Sequence, residues 1–218
     1  MAFRPWTVLG EAGPWRWVVA AGVGLLLLLG LGFGAWSWYS AAQARGLQEI
    51  AEAGILAQEA LAPQATAAQR EAAIRKLEEV IARYPSNRPV SEAAYHLGNL
   101  RYQGKAYEAA RGAYTLALAK GPGSTLAGLC RLGIGYTWEA ERKYGEALGA
   151  YQDALTRLGT TDFLYEETLM SLGRAEELAG KLDQARETYR RILRELPTTR
   201  RADDIRGRLA SLESLSPR

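Results

Sequence analysis

The apolar positions of this chain fall into two regimes. Over residues 17–39 the sequence WVVAAGVGLLLLLGLGFGAWSWY carries no charge. At about 1.5 Å per residue such a helix spans roughly 34 Å, enough for the hydrocarbon core of a bilayer. From there to Glu213, polar and apolar residues alternate at helical spacing instead. Ala110, Ala113, Tyr114, Ala117 and Leu118 stand at i, i+3, i+4, i+7 and i+8, one stripe on an α-helix.

That stripe recurs. GKAYEAARGAYTLAL (104–118), ERKYGEALGAYQDAL (141–155) and AGKLDQARETYRRIL (179–193) place Ala110, Ala147 and Ala185 in one register, each followed four residues later by Tyr114, Tyr151 or Tyr189. A fourth copy, AAQREAAIRKLEEVI (67–81), has Ala73 with Leu77 in the tyrosine's place. A second helical stretch precedes each of the three full copies, and Gly98, Gly135 and Gly173 lie at one fixed distance before the alanines. Ser91 suits the N-cap of the first of these stretches. Pro85, Pro122 and Pro197 cannot continue a helix and end three of the units.

A period of 37 to 38 residues predicts helix–turn–helix units stacked into an all-α solenoid, because one unit cannot bury its apolar face alone. The expected layout is a short tail (1–16), a transmembrane helix (17–39), a juxtamembrane helix and linker (40–66) and a repeat domain (67–213), with a tail at 214–218. Within the array the units are expected at 54–87 (partial), 91–124, 128–161 and 166–199, closed by a charged capping helix at 200–213. Pro63 ends the juxtamembrane helix, and Ile55, Leu56 and Leu61 are its expected packing contacts with the array.

The pairs Leu97-Gly98, Ile134-Gly135 and Leu172-Gly173, with the alanine, the aromatic and the proline that follow, resemble the tetratricopeptide repeat. The period is three or four residues longer than that family's 34, the surplus lying between units. The resemblance implies a concave groove lined by the first helix of each unit. Its positions here are Tyr95, Asn99 and Tyr102, then Leu132, Tyr136 and Glu139, then Met170, Arg174 and Glu177. Such a groove takes protein or peptide partners, with stiff amphipathic tyrosines as anchors and Asn99 pairing with a peptide backbone. The family's basic clamp for a C-terminal carboxylate is missing, since Tyr95 and Leu132 stand where lysines are needed. Arg111 is expected to face outward.

Trp15 and Trp17 flank one end of the uncharged stretch, and Trp36, Trp38 and Tyr39 the other, as in an interfacial aromatic belt. Its length and tryptophans favour an uncleaved anchor over a secretory signal with a small-residue site near 40–44. Arg4, Arg16 and the amino terminus outweigh Glu11 before the span, whereas Arg45 is soon followed by Glu49 and Glu52. The positive side is the short one, so the expectation is a single-pass inner-membrane protein with a cytoplasmic N-terminus and a periplasmic repeat domain. Gly30 and Gly34 form a small-xxx-small pair through which two membrane helices could make a homodimer. Gly30, Gly32 and Gly34 are not a phosphate loop, because they lie inside the span.

This layout resembles the ancillary subunit of the bacterial Sec translocon, which implies a scaffold in contact with the translocon, periplasmic chaperones or newly exported chains. Two alternatives remain open. Residues 82–110 resemble the repeat domain of the Tol-Pal cell-division coordinator and of outer-membrane assembly lipoproteins, implying an envelope assembly or division factor. The other is a structural subunit of a larger membrane complex.

Composition removes other classes. With one histidine and one cysteine the chain has no zinc-ligand set, and no cofactor or metal is expected. His96 and Cys130 are the sole conceivable nucleophile pair, but a lone cysteine ordinarily behaves as a small apolar residue, so no enzyme is expected. A net charge of +3, with its cations interleaved among acids, is too weak for a nucleic-acid footprint.

Overall fold

The computed structural model describes residues 15–85 and 89–214. Their secondary structure is helical throughout: α1 (Trp15–Leu61), α2 (Ala67–Arg83), α3 (Val90–Gln103), α4 (Tyr107–Ala119), α5 (Ser124–Ala140), α6 (Tyr144–Leu155), α7 (Tyr165–Leu178), α8 (Leu182–Glu195) and α9 (Ala202–Ser214). The chain divides into two compact units, Met1–Arg45 and Gly46–Arg218, and α1 contributes to both.

In the first unit the side chains of Leu25, Leu28, Leu31, Phe33, Trp36, Trp38 and Tyr39 are exposed. One helix among the described residues, over Ala21–Leu61, is long and apolar enough by length and composition to cross a membrane. Space is open around Gly30 and Gly34. The expectations placed on Arg4, Glu11 and the tail before residue 15 lie outside the described residues, as do those on the side chains of Trp15, Arg16 and Trp17 and on residues 215–218.

The second unit is a continuous stack of helix pairs. Its first layer joins residues 46–61 of α1 to α2. Ile50, Ala53, Ala57 and Ala60 recur at i, i+3, i+7 and i+10 and are buried with Ala73, Leu77 and Val80 of α2 and with Val90, Ala93, Leu97 and Leu100 of α3. Alanine, with no side chain beyond Cβ, lets α1 come close here. The expected contacts Ile55 and Leu56 are exposed, because they fall off this stripe, and Leu61 is half-buried at its edge. Thr66 and Gln69 cap α2 reciprocally: the Thr66 hydroxyl accepts from the Gln69 N–H (3.2 Å), and the Gln69 side-chain carbonyl accepts from the Thr66 N–H (2.8 Å).

Three pairs follow, α3/α4, α5/α6 and α7/α8, and α9 covers the last. α3 begins at Val90, and its N-cap residue is Pro89 rather than the expected Ser91. Val90 is fully buried against the α2 layer, which draws the helix start back by two residues. Within each pair the tyrosine of the second helix lies over the glycine of the first. A Cβ added at Gly98, Gly135 or Gly173 would fall within 3 Å of the ring of Tyr114, Tyr151 or Tyr189. The turns inside the pairs are alike too. Ala106, Lys143 and Lys181 donate to the carbonyls of Arg101, Trp138 and Glu176 five residues earlier, each at 2.9 Å, which is the Schellman closure. The left-handed residue that this closure needs is Lys105, Arg142 or Gly180.

Candidate partner-binding groove

The tyrosines that pin each pair also set the chemistry of its exposed face. A buried phenol needs a partner for its hydroxyl. Tyr151 donates to Glu139 at 2.8 Å, and Tyr189 donates to Glu177. Each of these glutamates then receives an arginine from the next layer. Arg174 of α7 forks onto Glu139 at 2.8 and 3.2 Å, and Arg208 of α9 approaches Glu177 to 3.5 Å. A tyrosine–glutamate–arginine chain therefore ties the second pair to the third, and the third to the cap. Burial pushes the Tyr151 and Tyr189 phenols well above the usual range, and the Glu139 carboxylate holds the Arg174 guanidinium firmly charged.

The first pair breaks this rule. The residue four after its glycine, where the others have glutamate, is Tyr102. Its B-helix tyrosine, Tyr114, donates instead to Asn99 Oδ1 at 2.8 Å. Tyr136 stands on α5 where Arg174 stands on α7. The junction between α3 and α5 thus has two phenols in place of an ion pair, and an open cleft of about 460 Å³ lies there, lined by Tyr102, Tyr136, Glu139, Ala140, Arg174 and Leu178. The Tyr102 ring is 5.6 Å from Tyr107, and Tyr136 meets Tyr151 edge-on at 5.9 Å. Tyr136 donates to Glu167 at 3.0 Å, and its phenol is pushed up to about 12, chiefly by burial.

The structure therefore brings together four of the expected groove residues: Tyr102, Tyr136, Glu139 and Arg174. It does not bring all of them. Leu132 and Met170, expected in the groove, are only 4% and 7% exposed; they are core side chains, one packed with Ala147 and Tyr151, the other with Tyr189 and Ile205. Tyr95 is half-buried further along α3 and belongs to a second cleft. Arg111 does not face outward. Its guanidinium lies 3.5 Å from the centre of the Trp138 ring and 2.6 Å from Glu141. Leu178, nearly half exposed in the cleft, was legible as the apolar residue one turn after Arg174.

Cys130 is fully buried among Ala94, Ala110, Tyr114 and Ala117, and burial pushes its thiol up to about 12, so almost no thiolate is present at neutral pH. Burial also lowers the pKa of His96. No cluster of His, Cys, Asp or Glu among the described residues could hold a metal ion.

Residues 64–125 and 138–198 match the family model of the tetratricopeptide repeat. The chain belongs to the tetratricopeptide-repeat family. No curated protein matches it. Among solved structures, this tetratricopeptide-repeat protein is similar to a MamA protein, the RS-1 ArsTM double mutant, at 15% identity and a TM-score of 0.54, over 76% of this chain and 95% of that one. TTC0263, a tetratricopeptide-repeat protein of Thermus thermophilus, is 23% identical over 87% of this chain and 97% of its own, with a TM-score of 0.47. Tetratricopeptide repeats are protein–protein interaction scaffolds, and that is the class of this array.

Proposed function

We propose that this protein is a membrane-anchored interaction scaffold whose repeat array works outside the cytoplasm, where it holds extended segments of partner proteins and assists protein export. The observation that carries the binding reading is the open junction between α3 and α5. Every later junction is closed by a glutamate–arginine pair, whereas here Tyr102 and Tyr136 line an open cleft. Stiff, amphipathic phenols lose little entropy on ordering and are good anchors for a peptide. Asn99 gives its oxygen to Tyr114 and keeps its amide N–H groups for a peptide carbonyl. The anchor reading rests on the uncharged residues 17–39, whose apolar side chains are exposed where described. The translocon, chaperones and exported chains are the partners that this layout favours.

Site-specific photo-crosslinking in living cells tests this, with the probe at Tyr102 or Tyr136 and a control at Thr115, which is exposed on α4. Adducts to translocon subunits or exported chains at the two groove sites alone are expected. Adducts to division or outer-membrane assembly proteins would replace the export role with an envelope role. Equal labelling at Thr115 would remove the groove. Protease added to spheroplasts should digest the array; an array left intact would reverse the topology.

A further inference from the structure

A second cleft, of about 760 Å³, opens on the same α3–α5 face, walled by Tyr95 and His96 of α3, Pro122 of the preceding loop, and Leu126 and Leu129 of α5. Tyr95, Asn99 and Tyr102 follow one another at i, i+4 and i+7, and Leu129, Tyr136 and Ala140 at i, i+7 and i+11, so both clefts share one side of both helices. The walls of the two clefts are centred near residues 93 and 102 of α3, about 13 Å apart at 1.5 Å per residue. Along α5 the separation is roughly 18 Å. Four residues of extended chain cover about 13 Å and return to the same side of the strand.

Charge distinguishes the two ends. In the lower cleft, Glu139 and Arg174 satisfy each other with a two-point fork, so a charged side chain entering there would have to break that pair. In the upper cleft, burial disfavours a charge on His96, and Glu92 on the rim has no ion pair among the described residues. We infer that this face binds one extended segment with two uncharged apolar anchors four residues apart, and with a basic residue beside the anchor in the upper cleft, next to Glu92. This rests on the groove reading above and specifies its ligand.

The test uses the full chain in lipid nanodiscs and fluorescein-labelled peptides read by fluorescence anisotropy. One peptide carries two leucines four residues apart with an arginine before the first; a second spaces the leucines two apart; a third replaces the arginine with glutamate. The first peptide is expected to bind roughly tenfold more tightly than either of the others. Glu92→Lys should reverse the preference between the arginine and glutamate peptides, and Leu178→Lys, at an exposed position of the lower cleft, should weaken all three. Equal affinity at both spacings, or a flank preference indifferent to Glu92→Lys, overturns the inference. If Leu178→Lys still weakens binding in that case, the groove reading survives without it. If no peptide binds below about 1 mM, both fall.

Discussion

Gly135 and Gly149 are both helical glycines, yet their substitution should have opposite effects. A methyl group at Gly135 would enter the Tyr151 ring, which is fully buried and fixed to Glu139. Gly149 is exposed on α6 with nothing within 4 Å. Gly135→Ala should destabilise the array by about 3 kcal/mol in urea titrations. Gly149→Ala should stabilise it by roughly 0.5–1 kcal/mol, the ordinary gain of alanine over glycine inside a helix. Glu176 is the other informative residue. It is 4% exposed, its Oε2 has no partner, and burial is the main cause of its raised pKa. Because the folded pKa exceeds the unfolded one, the favourable contribution is complete below the unfolded pKa and is lost as pH rises through the folded pKa. Glu176→Gln should therefore leave stability almost unchanged near pH 4 and raise it by about 1–2 kcal/mol at pH 8, as measured by urea midpoints at the two pH values. The repeated glycines were legible from their fixed distance to the alanine. The burial of Glu176 was not, because a carboxylate in a helical repeat reads as a solvated face until its neighbours are placed.

At the scale of elements, the three Schellman turns share a geometry but not a residue. Lys105 and Arg142 hold φ near 60°, where a Cβ crowds the backbone, whereas Gly180 meets the same demand without strain. Arg142→Gly is expected to raise the thermal midpoint, by up to about 1 kcal/mol of stability, and Gly180→Ala to lower it by a similar amount. A matching loss for Arg142→Gly would mean that its aliphatic stem matters more than the backbone strain. Helix ends were legible wherever proline marks them, at Pro85, Pro122 and Pro197, since the ring cannot continue the hydrogen-bond ladder. The start of α3 was not, because burial of Val90 outweighed the capping preference of Ser91.

At the scale of the whole molecule, residues 46–61 of α1 supply the first layer of the array. A fragment of residues 46–218 should fold alone, with a strongly helical circular dichroism spectrum and one cooperative urea transition. A fragment starting at residue 64 would lose the α1 side of the packing around Ala73, Leu77 and Val80, and its urea midpoint should fall well below that of the longer fragment. Equal midpoints would show that the α1 layer is dispensable. Terminal layers matter in a stack because each repeat contacts only its neighbours.

The sequence by itself determined that the chain is a repeat array behind an uncharged apolar stretch. Periodicity and the Gly–Ala–Tyr register are local properties, set by helix geometry and by one ring needing space over one glycine. Which groove positions are open was decided only by tertiary structure. Tyr95, Leu132 and Met170 each stand three residues before the repeated glycine, in one register, yet the packing of neighbouring layers buries the last two and leaves Tyr95 half-buried on a cleft. Glu139 and Arg174 are ordinary charges 35 residues apart until stacking brings them to 2.8 Å, and the open junction at Tyr102 and Tyr136 becomes visible only beside the pairs that close the others. Contacts between layers depend on where whole helices meet, and no local pattern carries that information.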